Sequence, residues 1–127
     1  MKRVLVFEDE LSSQEIARSA LGGLGITDIA FATDGDKGLK ILDRMEPKPD
    51  FILCDIFMPD KDGIETVMEL ADRNFKGGLI FITGAGLQLS SVAKAIAKHR
   101  GLNFLGVLGK PLVSEQLEQM LIPLIGP

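Results

Sequence analysis

The sequence predicts an α/β fold, a doubly wound sheet of five parallel strands with five helices. Three observations lead there: five short apolar runs, five stretches of helical periodicity alternating with them, and only short loops left over in 127 residues. The apolar runs are Val4–Phe7, Ile29–Ala32, Phe51–Cys54, Leu79–Ile82 and Phe104–Leu108. Each has the length of a strand buried on both faces, as parallel strands covered by helices are.

The helices follow in order. After the first strand, Ser12-Ser13-Gln14-Glu15 reads as a capping box, Ile16, Ala17, Ala20, Leu21 and Leu24 form an apolar stripe, and Gly22 is a stop. After the second, Thr33-Asp34-Gly35-Asp36 is another capping candidate. Gly38, Ile41, Leu42 and Met45 make the stripe, and Pro47 and Pro49 end it. Ile64, Val67, Met68 and Ala71 repeat the i, i+3, i+4, i+7 spacing of a third helix. Leu89, Val92, Ala93, Ile96 and Ala97 do so for a fourth, with Gly101 as its stop. Leu117, Met120, Leu121 and Leu124 make the fifth.

Composition narrows the function classes. The length fits one domain, residues 1–127, large enough to bury a core without staples. Hydrophobic residues make up 46%, and with seven Phe and no Trp or Tyr the core must be largely aliphatic. A net charge of −4 and a pI near 4.9 disfavour direct nucleic-acid binding, which needs basic surfaces. Cys54 stands alone, so no internal disulfide forms and a reducing compartment is expected. Only Val4–Phe7 is apolar between Met1-Lys2-Arg3 and Glu8, too short for a signal peptide or a membrane span. The expected location is cytoplasmic.

Ligands of such sheets bind outside the carboxyl ends of the strands, where the strand order reverses. In the flavodoxin-like order 2-1-3-4-5 that point lies between the first and third strands. Glu8 and Asp9 close the first strand, Asp55 the third and Thr83 the fourth, and Lys110 follows the fifth. All five therefore converge on one crevice. Carboxylates gathered there repel one another unless a positive charge is present. A hard divalent cation such as Mg²⁺ resolves this with oxygen ligands. Lysine adds a mobile charge for a phosphoryl oxygen, threonine a hydroxyl donor, and a carboxylate can act as nucleophile. The inventory fits phosphoryl transfer.

With those residues in place, the sequence resembles the CheY-like receiver domains of two-component response regulators over nearly its whole length. The motifs are Glu8-Asp9, the segment Asp55-Ile-Phe-Met-Pro-Asp-Lys-Asp-Gly63, Thr83 in Ile-Thr-Gly-Ala, and Lys110-Pro111. The resemblance implies that Asp55 accepts phosphate from a sensor histidine kinase or a phosphotransfer protein. It implies direct Mg²⁺ binding by Asp9, Asp55 and the Phe57 backbone carbonyl, with Glu8 acting through water. Lys110 and Thr83 would contact the phosphoryl oxygens, and the Lys110–Pro111 peptide would be cis. Phosphorylation would switch an output domain or a partner protein, or promote a homodimer, through the fourth helix, fifth strand and fifth helix.

Three positions depart from the common pattern. Glu8 stands where Asp is usual, which changes reach but not charge. Phe57 lies two residues after the acceptor, where its bulk would shield an acyl phosphate from water and slow its loss. Val107 occupies the switch position three residues before the lysine, where many receivers carry Tyr or Phe, so the usual aromatic rotation cannot report on phosphorylation and the output surface would work differently. The segment Ala93–Pro111 also resembles receivers fused to EAL-type cyclic-di-GMP phosphodiesterases.

Simpler readings cover the other polar residues. Cys54 is a small core residue. His99 belongs with Lys94, Lys98 and Arg100 near a helix C-terminus, where positive charge is favourable. Asp60 and Asp62 are assigned to a solvated turn, with Gly63 supplying flexibility. Gly84-Ala85-Gly86 does not complete a dinucleotide fingerprint, because the third glycine would fall at Leu89. Two other functions compete with the switch. One is a pseudo-receiver that is never phosphorylated. The other is a carboxylate-and-Mg²⁺ phosphatase, disfavoured because Phe57 stands where many carry a second Asp. A flavin carrier is disfavoured by the acidic strand ends.

Overall fold

The computed structural model describes residues 2–84 and 87–125, with side chains at all of these except 87–89 and 125. Five strands and five helices alternate: β1 (Arg3–Phe7), α1 (Leu11–Gly22), β2 (Asp28–Ala32), α2 (Gly35–Arg44), β3 (Phe51–Asp55), α3 (Gly63–Asp72), β4 (Gly78–Thr83), α4 (Leu87–His99), β5 (Asn103–Gly109) and α5 (Ser114–Ile125). All pairings are parallel and the order is β2-β1-β3-β4-β5. This is the predicted doubly wound sheet.

Strand alternation builds two cores. Leu5, Phe7, Ile52, Cys54, Leu79 and Phe81 face α2, α3 and α4, meeting Leu39, Leu42, Val67, Leu70, Ala93 and Ala97. Val4, Val6, Phe51, Leu53, Ile80 and Ile82 face α1 and α5, meeting Ala17, Leu21, Leu117 and Leu121. The three central strands are buried on both faces, as their continuous apolar runs require. β2 and β5 are only partly buried, contrary to expectation, because each is an edge strand with one neighbour.

Several local readings need correction. The Ser12–Glu15 capping box does not form: α1 begins at Leu11, its N-cap is Glu10, and no side chain caps it. The Gln14 side chain turns inward instead, donating from Nε2 to the Glu8 carbonyl at 2.7 Å. At α2 the cap is Asp34, not Thr33, and accepts from the Lys37 N–H at 2.7 Å. Asp62 is not a free turn residue but the N-cap of α3, accepting from the Glu65 N–H at 3.0 Å. Gly63 starts that helix, where a Cβ would sit 3.1 Å from Ile56 Cδ1, so close approach explains it better than flexibility. Gly22 lies within α1, whereas Gly101 stops α4 in the left-handed region at φ 80°.

The apolar stripes also drift. Ile16, Met68 and Val92 are exposed at the flanks of their helices, while Leu39 and Leu70 are buried in the core. Leu89's side chain, Ala85 and Gly86 lie outside what is described. β5 carries an irregularity that the sequence did not show: Leu79 pairs with Phe104, but Ile80 pairs with Gly106, so Leu105 is extra. Gly106 adopts φ 153° there, and a Cβ on it would meet Met120 at 2.6 Å.

Candidate functional site

In-register pairing brings the strand ends level. Phe7 lies opposite Cys54, Asp55 opposite Ile82, and Thr83 opposite Gly109. The next residues along β1 and β5 are Glu8 and Lys110, so both emerge beside Asp55. The Lys110 backbone N–H donates to the Thr83 carbonyl at 2.9 Å, and the Glu8 N–H to the Ala32 carbonyl at 2.9 Å. These bonds extend the sheet one residue into the crevice.

Lys110 is the hub. Its Nζ lies 2.8 Å from Glu8 Oε1 and 2.8 Å from Asp55 Oδ2, with Glu10 Oε1 farther off at 3.8 Å. Glu8 is 2% exposed and Asp55 4%, so this is a buried triad rather than a surface ion pair. Burial raises the Glu8 carboxyl above its usual range, against the lowering effect of the Lys110 hydrogen bond. Burial pulls the Lys110 ammonium down, but hydrogen bonds to Asp55 and Glu8 outweigh it and hold the lysine firmly charged. Asp55 Oδ1 accepts the Phe57 N–H at 3.0 Å. The Lys110–Pro111 peptide is cis, as expected; Glu46–Pro47 is also cis, which was not.

The remaining predicted residues take varied places. Thr83 is buried at the end of β4, next to the acceptor strand. Asp9 is exposed. Among the described residues, the acidic oxygens that gather within 4.8 Å of one another belong to Glu8, Asp9 and Glu10. Glu10 is an acidic neighbour of the site that the sequence reading did not include. Asp55 is joined to Glu8 through Lys110, and its oxygens accept from Lys110 and the Phe57 N–H. Such hard oxygen donors fit Mg²⁺, and Lys110 keeps their charge tolerable. Val107 is half-buried against the α2–α3–α4 core, and the aromatic on that face of β5 is Phe104, whose ring lies 5.2 Å from that of Phe81. Cys54 is fully buried and its thiol is pushed up by burial, in keeping with a packing role. A cavity of about 200 Å³ behind Glu8 and Lys110 is lined by Ile16, Ile82 and Leu112. A larger groove of about 550 Å³ lies at the opposite strand ends, beside Lys48, Arg73, Phe75 and Leu124, and includes no predicted site residue.

Residues 4–122 match the family of response regulator receiver domains. The chain belongs to this family. Phosphorylation and Mg²⁺ binding are typical of receivers. This receiver is 29% identical over 125 residues to the probable chemotaxis protein CheY of Rhizobium etli, covering 98% of this chain and 92% of that protein. It is 32% identical over 84 residues to the probable C4-dicarboxylate response regulator DctR of Bacillus subtilis, covering 65% of this chain and 36% of that protein. The receiver spans about half or less of the DctR regulators it matches. Its fold is similar to the receiver domain of the sensor histidine kinase PA1611 of Pseudomonas aeruginosa, solved with a magnesium ion in its active-site cleft. The TM-score is 0.77 at 24% identity, over 99% of this chain and 98% of that one.

Proposed function

We propose that this receiver takes a phosphoryl group onto Asp55 and so acts as a switch in a two-component or phosphorelay system. The observation that carries the reading is the buried Asp55 carboxylate at the end of β3, paired at 2.8 Å with a lysine from the end of β5. Asp55 attacks the phosphorus of a phosphohistidine on a sensor histidine kinase or phosphotransfer protein. The new O–P bond forms as the P–N bond breaks, and the imidazole leaves with the electron pair. Lys110 is freed from the carboxylate charge and follows a phosphoryl oxygen, and Thr83 donates its hydroxyl to another. Asp9, Asp55 and the Phe57 carbonyl would hold Mg²⁺, with Glu8 reaching it through water; the ion supplies charge neutralisation for the phosphoryl group.

The output is a change in binding rather than turnover of a substrate. The α4–β5–α5 face is its surface, either toward a partner protein, an output domain such as an EAL phosphodiesterase, or a second copy. Among the described residues no helix is long and apolar enough to cross a membrane. A cytoplasmic site of action accords with that and with the lone buried thiol of Cys54.

Intact mass spectrometry after incubation with acetyl phosphate tests the reading. One phosphoryl mass should appear with Mg²⁺, vanish without it, and be absent from Asp55→Asn. The same adduct on Asp55→Asn would remove Asp55 as acceptor. If no adduct forms, a Mg²⁺ titration separates a receiver restricted to its own kinase, which still binds the ion, from a pseudo-receiver, which does not. Steady turnover of a simple phosphate ester would favour the phosphatase reading.

Phe57 gives a second expected result. Its side chain is half exposed while its N–H holds Asp55, so the ring stands at the mouth of the site. Phe57→Asn should shorten the lifetime of the phosphorylated form several-fold, followed by the decay of the mass adduct after donor removal. An unchanged lifetime would show that the ring does not exclude water.

A further inference from the structure

The loop between Asp55 and α3 is tied at both ends. Near its base, the Gly63 N–H donates to the Ile56 carbonyl at 2.8 Å, and Phe57 pairs with Asp62 in an antiparallel bridge. The loop's tip reaches 25 residues back along the chain to the start of α2. There Asp60 Oδ1 accepts the Gly35 N–H at 2.7 Å and Oδ2 accepts the Asp36 N–H at 2.8 Å. The first N–H groups of a helix have no partner within it. At α2, Asp60 takes two of them and the helix's own Asp34 takes the Lys37 N–H.

Lys61 completes the grip. Its Nζ lies 3.2 Å from Asp36 Oδ1 and 3.8 Å from Glu69 Oε2, with the side chain 17% exposed. The Lys61 stem lies over the α-carbon of Gly35, where a Cβ would sit 2.9 Å from Lys61 Cβ. Gly35 is thus the residue that lets the stem lie flat. Although Asp60 is itself exposed and pays some desolvation, the N–H bonds from Asp36 and Gly35 hold its carboxyl below the usual range.

We propose that Asp60 and Lys61 are positioning residues that clasp the acceptor loop to α2, so that α2 holds the Phe57 backbone in place for metal binding and phosphorylation at Asp55. The proposal rests on the receiver reading above. Between the clasp and the Phe57–Asp62 bridge only Met58 and Pro59 intervene, so a loop released at its tip loses its constraint close to the Phe57 carbonyl. Neither clasp residue touches Asp55, and their effect passes through the loop backbone.

Amide NMR of the whole chain, titrated with MgCl₂, tests this alongside acetyl phosphate uptake, both at a temperature where each variant is folded. In the wild type, the Gly35 and Asp36 amides should shift with Mg²⁺, and Asp55→Asn should abolish that response. Asp60→Ala should weaken Mg²⁺ binding about tenfold, the size typical for groups that orient metal ligands, and should uncouple the α2 amides. Asp60→Asn, which keeps a side-chain carbonyl for one N–H, should recover part of the affinity. Lys61→Met should weaken binding less than Asp60→Ala. A folded Asp60→Ala with wild-type affinity and uptake would overturn the clasp and leave the receiver reading intact. A wild type that neither binds Mg²⁺ nor takes phosphate would overturn both.

Discussion

Lys110→Met should lower the thermal midpoint by about 10 °C, corresponding to roughly 3 kcal/mol for a chain of this size, and should abolish phosphoryl uptake. Both effects come from one geometry. Glu8 and Asp55 are nearly inaccessible, and the Lys110 ammonium lies 2.8 Å from each. Methionine fills similar space but leaves two buried carboxylates facing each other without a cation. Glu8→Gln in the Lys110→Met background removes one of those charges and should restore part of the lost midpoint, which a double-mutant cycle reads directly. In the wild-type background the same Glu8→Gln breaks a pair instead, so it should destabilise. Calorimetric or circular-dichroism melts of the four proteins decide the matter. A Lys110→Met midpoint equal to that of the wild type would mean that the triad carries no net stability.

The strand ends were legible because their chemistry does not depend on packing detail. Once the apolar runs fixed five parallel strands, Glu8, Asp55, Thr83 and Lys110 had to emerge on one side. What escaped the sequence was set by tertiary neighbours. Gln14 belongs by sequence to a helix start, yet its amide closes on the Glu8 carbonyl because α1 lies over β1. Asp60 read as a turn residue because its partners, Gly35 and Asp36, are the first residues of α2, distant from it in sequence. Edge strands cannot be told from central ones when the runs are equally apolar, so the exposure of β2 and β5 was missed. The extra residue in β5 is a property of its pairing with β4, and with it Phe104 and Val107 both pack against the core that holds Phe81, Val107 opposite Phe81 in register and the Phe104 ring 5.2 Å from the Phe81 ring. Glu10 escaped the sequence reading as well: its carboxylate gathers with those of Glu8 and Asp9 at the end of β1, while Lys110 lies 2.8 Å from both Glu8 and Asp55.

Gly38→Ala runs against helix propensity. In the interior of a helix this change ordinarily stabilises by about 1 kcal/mol. Here it should destabilise by about 1–3 kcal/mol, the cost of forcing a methyl into a packed core. A Cβ on Gly38 would overlap Phe7 Cε2 and lie 2.5 Å from Phe7 Cζ. Phe7 is fully buried in the central strand next to the edge, among Leu5, Leu39, Leu42 and Cys54, so its ring has little room to withdraw. The absence of a side chain at Gly38 is therefore what lets α2 settle on β1. Denaturant unfolding measures the change, and a variant more stable than the wild type would show that the ring moves aside freely. Phe7→Leu should itself destabilise, yet cost less in the Gly38→Ala background than in the wild type, because it opens the space that the methyl needs. The effect extends to chemistry: Phe7 directly precedes Glu8, so an α2 lifted from β1 disturbs both the carboxylate beside Lys110 and the helix start that Asp60 grips. Folded Gly38→Ala protein should accordingly take phosphate more slowly than the wild type.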